Sequence, residues 1–332
     1  MRFSTKSLSF LSVCALLLLA SCAGQHSPDE KYYLVSANIK VPYWQAAAAG
    51  LMRAAGEMRV NAELVGPDTY DPKAQQEEFR RIVKLKPSGI LVSPADATLM
   101  TADIDAAVDA GIPVITIDSD APLSKRLTFI GTNNYEAGQI GGRLAAKLLQ
   151  AKGNVIIFTM PGQANLDERL QGYKAVFQEH PEIKIVDVVD IQGKAQTAFD
   201  TTAAILEKDA KKVDAFICLE AIAGKEVAEV VDRAKMHDKI IVAMDTDQGT
   251  LEWVQKGVIA ATVAQKPYTM AFMGVKMLDD LHHHPLSRLG ANWAEDPFAR
   301  IPRSLDTGVT LIDKGSVDVF MKARDTATSG KS

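Results

Sequence analysis

The sequence predicts an α/β chain made of two doubly wound, mostly parallel sheets. Three observations carry this. Short apolar, β-rich runs alternate with helical stretches along most of the chain. The runs are apolar nearly throughout rather than alternating, as strands covered on both faces require. The alternation then restarts after Gly131-Thr132-Asn133-Asn134, which divides the chain into two βα-repeating halves without a long linker.

Taken in order, strands are expected at residues 32–35, 62–65, 89–92, 113–117 and 127–130, with helices at 43–59, 73–84 and 98–110 between them. Gly111 just past the third helix, followed by Pro113, stops that helix and starts the next strand. In the second half, helix 135–150 leads to strand 154–159 and helix 166–180 to strand 184–190. Helix 195–208 then leads to strand 215–218, helix 224–236 to strand 239–244, and a short helix near 250–256 to strand 259–264. A helix at 268–281 and a strand at 309–312 remain outside this repeat, and residues 323–332 read as a polar, disordered tail.

The amino end is of another kind. Arg2 and Lys6 precede an apolar run over residues 8–20, too short and too early for a typical spanning helix, so residues 1–21 read as an export signal. The run closes on Leu19-Ala20-Ser21-Cys22, and small residues before a cysteine resemble the lipobox of bacterial lipoproteins. That resemblance implies cleavage before Cys22, acylation of Cys22 with palmitate, and a protein held at the cell envelope by lipid on the periplasmic or extracellular face. Residues 22–31 are polar and read as a short tether.

Removing the signal leaves about 310 residues, room for two well-buried cores. A net charge of −4, 23% charged residues and no basic block exclude nucleic acid and broad adhesion to an acidic bilayer as partners. Cys14 leaves with the signal and Cys22 is modified, so Cys218 stands alone and no intrachain disulfide is expected. Cys218 closes the apolar run Ala215-Phe216-Ile217 and reads as a small buried hydrophobe.

Ligands of open parallel sheets bind beyond the carboxyl ends of the strands. The residues that follow the expected strands are Asn38, Lys40, Pro42, Tyr43 and Trp44, then Asp118, Ser119 and Asp120. The second half adds Asn165 and Arg169, then Glu220, then Asp245, Asp247 and Gln248, then Gln265. Carboxylates, amides and a guanidinium can hold hydroxyls that both donate and accept, and aromatic rings cover the C–H face of a sugar. A carboxylate after a strand is as often a helix N-cap, an alternative that applies to Asp120 and Asp247.

Several stretches together are recognisable: Pro42-Tyr43-Trp44, residues 111–118 (Gly-Ile-Pro-Val-Ile-Thr-Ile-Asp), residues 130–138 (Ile-Gly-Thr-Asn-Asn-Tyr-Glu-Ala-Gly), Asp167-Glu168-Arg169-Leu170-Gln171-Gly172, Ala243-Met244-Asp245, and residues 260–265 (Ala-Ala-Thr-Val-Ala-Gln). In this order they resemble the periplasmic sugar-binding proteins of the ribose/galactose type, solute receptors of ABC importers with a type I periplasmic-binding fold. The resemblance runs from residue 32 to about residue 312. It implies two lobes joined by a three-segment hinge, crossing near Gly131–Thr132, Gln265–Lys266 and Asp306–Thr310. Lobe I would hold residues 32–131 and 266–306, and lobe II residues 132–265 and 307–322.

Carried over residue by residue, Tyr43 and Trp44 are the aromatic pair that covers the sugar ring. Asp118 is the first-lobe carboxylate, Arg169 the second-lobe guanidinium, Asp245 the second-lobe carboxylate and Gln265 the hinge amide. Asp120, Asn165 and Glu220 complete the expected ligand-binding set. Glu220 stands where the ribose type carries an amide, Ser119 where it carries an arginine, and Val41 where an asparagine is common. These departures imply a sugar or polyol other than the one the ribose type binds. The expected function is capture of a monosaccharide or polyol and delivery to an ABC permease by a monomeric protein.

A sensor that presents its closed form to a chemoreceptor or histidine kinase is the alternative. A glycosidase with Asp118 and Asp245 as its acid/base pair is disfavoured, since both carry binding roles in the resemblance. A DNA-binding repressor is excluded by the export signal standing where a helix-turn-helix would be needed. No cofactor is expected. His282-His283-His284 suggests a metal, but neighbouring residues on a helix point to different faces, and without partners the run reads as a solvated helix end before Pro285. Gly138, Gly141 and Gly142 lack the Lys-Ser/Thr ending of a phosphate loop and read as close helix packing. Lys125 and Arg126 read as either a partner-facing surface or a solvated loop.

Overall fold

The computed structural model describes residues 26–286 and 297–328, so the segment expected to be an export signal and Cys22 lie outside the described residues. The first lobe is a six-stranded sheet. It contains β1 (Lys31–Val35), β2 (Asn61–Val65), β3 (Gly89–Val92), β4 (Val114–Ile117), β5 (Thr128–Gly131) and β11 (Ser304–Asp306), in the order β11-β5-β4-β3-β1-β2. All its pairings are parallel. Helices α1 (Pro42–Met58), α2 (Pro72–Lys84) and α3 (Ala97–Asp109) connect the first strands.

The second lobe repeats the plan. Its strands are β6 (Lys152–Thr159), β7 (Glu182–Asp190), β8 (Ala215–Cys218), β9 (Ile240–Met244), β10 (Ala261–Ala264) and β12 (Thr310–Asp313). Their order is β12-β10-β9-β8-β6-β7, with only β12 antiparallel to its neighbour. The helices are α4 (Asn134–Leu148), α5 (Ala164–Gln178), α6 (Ala195–Asp209), α7 (Ala223–Arg233) and α8 (Gln248–Lys256). The chain leaves the first sheet after β5, returns from the second after β10 through α9 (Pro267–His283), and passes from β11 to β12. Helix α9 packs on α1 and on the first sheet.

Side-chain alternation explains the two faces of each sheet. Tyr32 and Leu34 enter one apolar cluster with α1 and α9, while Tyr33 and Val35 enter another with α2 and α3. In the second lobe, Val155 and Ile157 pack under α4 and α5, and Ile156 and Phe158 under α6 to α8. Both faces are buried, which is why these strands read as unbroken apolar runs. Cys218 is free and buried within the latter cluster. Gly138 is a matter of close packing: a β-carbon there would lie 2.2 Å from the Arg169 carbonyl oxygen.

Three sequence expectations change. Helix α10 (Val317–Thr328) continues through residues 323–328, where a disordered tail was expected. Phe320 and Met321 pack against the second-lobe core, and this anchors the helix. Residues 26–30 are not a loose tether: Glu30 is buried and accepts a hydrogen bond from the Ser27 amide. Arg126 is buried, neither partner-facing nor solvated, while Lys125 is exposed and paired with Asp109. Among the described residues no helix is long and apolar enough to cross a membrane.

Candidate functional site

The carboxyl ends of both sheets face one crevice, lined from both lobes. From the first lobe, Tyr43 and Trp44 project from the first turn of α1, where Pro42 starts the helix. Their rings meet edge to face with centroids 5.1 Å apart. Trp44 is buried and also joins the first-lobe core. Asp118 is the first residue past β4 and has a left-handed backbone with φ 62°. Its carboxylate accepts hydrogen bonds from Tyr43 Oη at 2.7 Å and Ser93 Oγ at 3.2 Å.

From the second lobe come Asn165 and Arg169 on α5, Glu220 past β8 and Asp245 past β9. Asn165 Nδ2 donates across the crevice to Asp118 Oδ2 at 3.3 Å, so the two lobes touch through this pair. Arg169 is fixed by donating from Nε to Asn134 Oδ1 at 2.9 Å and from Nη1 to the Leu219 carbonyl at 2.7 Å. Its Nη2 is buried and has no protein partner. Gln265, at the β10 exit, donates to Asp245 Oδ1 at 3.2 Å and keeps a buried Oε1 without a partner. A buried donor and a buried acceptor both left open at one cavity are the requirement of a ligand that donates and accepts.

The electrostatics are unusual. Among the described residues, three buried carboxylates, Asp118, Glu220 and Asp245, share the crevice with one guanidinium, that of Arg169. Burial pushes the Asp245 carboxyl up to about 7, against the pull of Arg169 and with a further push from Asp118. Burial likewise raises Glu220 to about 7, although its oxygens accept from the amides of Ile222 at 2.6 Å and Ala223 at 2.9 Å. Asp118 is raised by burial and partly offset by Arg169 and its hydrogen bonds. Burial therefore disfavours the charged form of all three, and hydroxyls that donate to them would restore it.

Of the residues singled out from sequence, Tyr43, Trp44, Asp118, Asn165, Arg169, Glu220, Asp245 and Gln265 line this one cavity. Asp120 does not. It forms a two-bond pair with Arg126, Nε–Oδ1 at 2.7 Å and Nη2–Oδ2 at 2.6 Å, and faces a separate cavity beside the hinge. Nor is it a helix cap; Asp247 is, accepting from the Gly249 and Thr250 amides. Sequence reasoning missed Tyr70 and Ser93 in the lining. Both follow first-lobe strands, β2 and β3, the same signal that drew attention to Asp118. Ser93 is held by Gln75 of α2, whose Nε2 donates to the Ser93 carbonyl at 2.7 Å.

A family model described as periplasmic binding protein domain matches residues 32–283. The D-apiose import binding protein of Paraburkholderia graminis is 27% identical over 280 residues, covering 80% of this chain and 85% of that protein. An arabinose-binding protein structure from Geobacillus stearothermophilus is 34% identical, with a TM-score of 0.73 over 88% of this chain and 99% of that one. A glucose-galactose binding protein structure from the same organism is 28% identical, with a TM-score of 0.78 over 86% and 98% of the two chains.

Proposed function

The chain belongs to the periplasmic binding protein domain family, and from that premise we propose that it captures a monosaccharide or polyol between its lobes and delivers it to an ABC importer. The observation that carries this reading is the facing of Asp118 and Asp245, one from each sheet, across a cavity where Arg169 Nη2 and Gln265 Oε1 stay open. In this reading Asp118, Asn165, Arg169, Glu220, Asp245 and Gln265 bind hydroxyls. Tyr43 and Trp44 cover the apolar face of the ring. Only the closed arrangement satisfies both halves of the hydrogen-bond shell, so ligand stabilises closure about the three crossings. The relatives' names favour import over sensing. Their family is one of binding proteins, and the paired aspartates take a binding rather than a catalytic role.

Thermal unfolding against a panel of pentoses, hexoses, deoxy sugars and inositols tests this, after unfolding and refolding to remove carried ligand. A melting temperature that climbs with ligand excess is expected for at least one member. A flat response to every member would remove the proposal. We further propose that Cys22 carries the lipid anchor and that the protein acts as a monomer at the outer face of a membrane. Labelled palmitate should enter the wild type and be lost in Cys22→Ala; retention of label in the variant would refute the anchor.

A further inference from the structure

The histidine run at the end of α9 has the partners that sequence alone could not supply. His283 Nε2 lies 3.1 Å from Glu30 Oε2 and 3.7 Å from Asp279 Oδ1, one helical turn earlier. His26 Nδ1 lies 3.7 Å from the same Glu30 oxygen and 3.3 Å from the same Asp279 oxygen. These four atoms all lie within 4.8 Å of one another. The neighbouring histidines turn elsewhere, His282 edge-on to Tyr32 and His284 toward Asp280.

We propose that His26, Glu30, Asp279 and His283 form a divalent-cation site, with zinc the ion it fits best. The spacing is the first reason. Ligands about 2.0–2.1 Å from zinc at tetrahedral angles stand about 3.3–3.4 Å apart. The four histidine–carboxylate separations, 3.1, 3.3, 3.7 and 3.7 Å, straddle that value. The donor set is the second. Two imidazole nitrogens with two carboxylate oxygens suit zinc, whereas magnesium prefers six oxygens and keeps its water.

The surroundings are the third. Glu30 and Asp279 are both buried, and two such carboxylates side by side need a compensating charge. His26 Nδ1 is buried and makes no hydrogen bond to the protein. The carboxylates are already oriented by outer partners: Tyr32 Oη donates to Asp279 at 3.0 Å, and the Ser27 amide donates to Glu30 Oε1 at 2.6 Å.

The site lies ahead of β1, at the end of the first sheet opposite the crevice. A bound ion would clamp residues 26–30 to α9 and take no part in holding the crevice ligand. It goes beyond the sugar-binding reading and does not depend on it.

The test is calorimetric titration of the full chain, made without a polyhistidine tag and stripped with chelator, using zinc chloride and then magnesium chloride. We expect one zinc per chain, a zinc-dependent rise in melting temperature, and little binding of magnesium. His26→Gln and His283→Gln, checked for folding by circular dichroism, should each weaken zinc binding by more than about tenfold, at least the cost of losing an outer partner of a ligating histidine. His284→Gln should bind as wild type does. Cobalt added to the wild type should give the intense visible absorption of a four-coordinate ion, a readout that needs no variant. Absence of saturable zinc binding would leave the four groups as ion pairs only and overturn the proposal. Unchanged affinity in the two cluster variants, or a weak six-coordinate cobalt spectrum, would overturn it equally.

Discussion

Asp118 and Asp245 occupy matching places in the two lobes. Each is the first residue past its strand, β4 and β9, which lie third from one edge of their sheets. Each adopts a left-handed backbone, φ 62° and 67°, and each amide donates to the neighbouring strand nearer that edge, to the carbonyls of Ile130 on β5 and Val263 on β10. The left-handed turn swings the side chain off the strand end and into the crevice. Aspartate and asparagine tolerate that conformation better than other side chains.

This geometry dictates how the pair should be tested. Alanine at either position would strain the backbone as well as remove the carboxylate. Asp118→Asn and Asp245→Asn keep the turn and remove only the charge. Each should weaken binding of the best sugar from the panel by roughly 1.5–3 kcal/mol, about ten- to 150-fold in Kd. Titration calorimetry checks this; unchanged affinity in either variant would remove that residue from the shell.

Glu220 gives a pH signature in the ligand-free protein. Its folded value is about 7 against an ordinary 4.5, because burial disfavours the charged form. The folded state therefore binds the proton more tightly than the unfolded chain. The stability this contributes is fully present below pH 4.5 and is lost as pH rises through about 7. Glu220→Gln removes the titration. Wild type should thus lose stability relative to the variant by up to about 1.4 kcal/mol per pH unit within that window. Urea unfolding of both proteins across the range measures the difference, and a constant difference would contradict it.

Asp120 should behave in the opposite way to Asp118. Its carboxylate is committed to Arg126, whose side chain is only 6% exposed, and to Thr116 Oγ1 at 2.6 Å. Asp120→Asn leaves that guanidinium buried without its counter-charge, at a cost of about 3 kcal/mol or more. Sugar affinity should stay within about twofold, since the pair does not line the crevice. Denaturant unfolding together with calorimetry separates the two effects, and a large affinity loss would return Asp120 to the site.

What could be read from the sequence follows from what is local. Strands buried on both faces announce themselves as apolar runs, so residues 89–92 and 215–218 are legible to the residue. Strand β11 is Ser304-Leu305-Asp306, three residues with one apolar side chain, and leaves no such trace. Asp120 looks like a crevice carboxylate because direction is not encoded in spacing; only the fold turns it toward Arg126. Glu30 and His283 meet across most of the chain, so nothing near the histidine run hints at a partner. Tyr70 follows β2 and needed only the strand-exit rule applied there as well.

Gly138 links packing to the site. It lies one helical turn past Asn134 on α4, and Asn134 Oδ1 accepts the Arg169 Nε–H that aims the guanidinium. The same face of α4 rests on α5 so closely that a β-carbon at Gly138 would meet the Arg169 carbonyl oxygen at 2.2 Å. Backbone cannot yield as a flexible side chain does, so Gly138→Ala must push the two helices apart. Overpacking of this kind costs about 1–3 kcal/mol. The displacement also pulls Asn134 from Arg169, so affinity should fall together with stability. Gly56, an exposed helix glycine with open space where a β-carbon would lie, is the control. Gly56→Ala should be neutral or stabilising, because it removes a glycine from the last turn of α1 without a clash. Paired unfolding and binding measurements decide the matter: Gly138→Ala with wild-type stability and affinity would mean that the α4–α5 seam does not position Arg169.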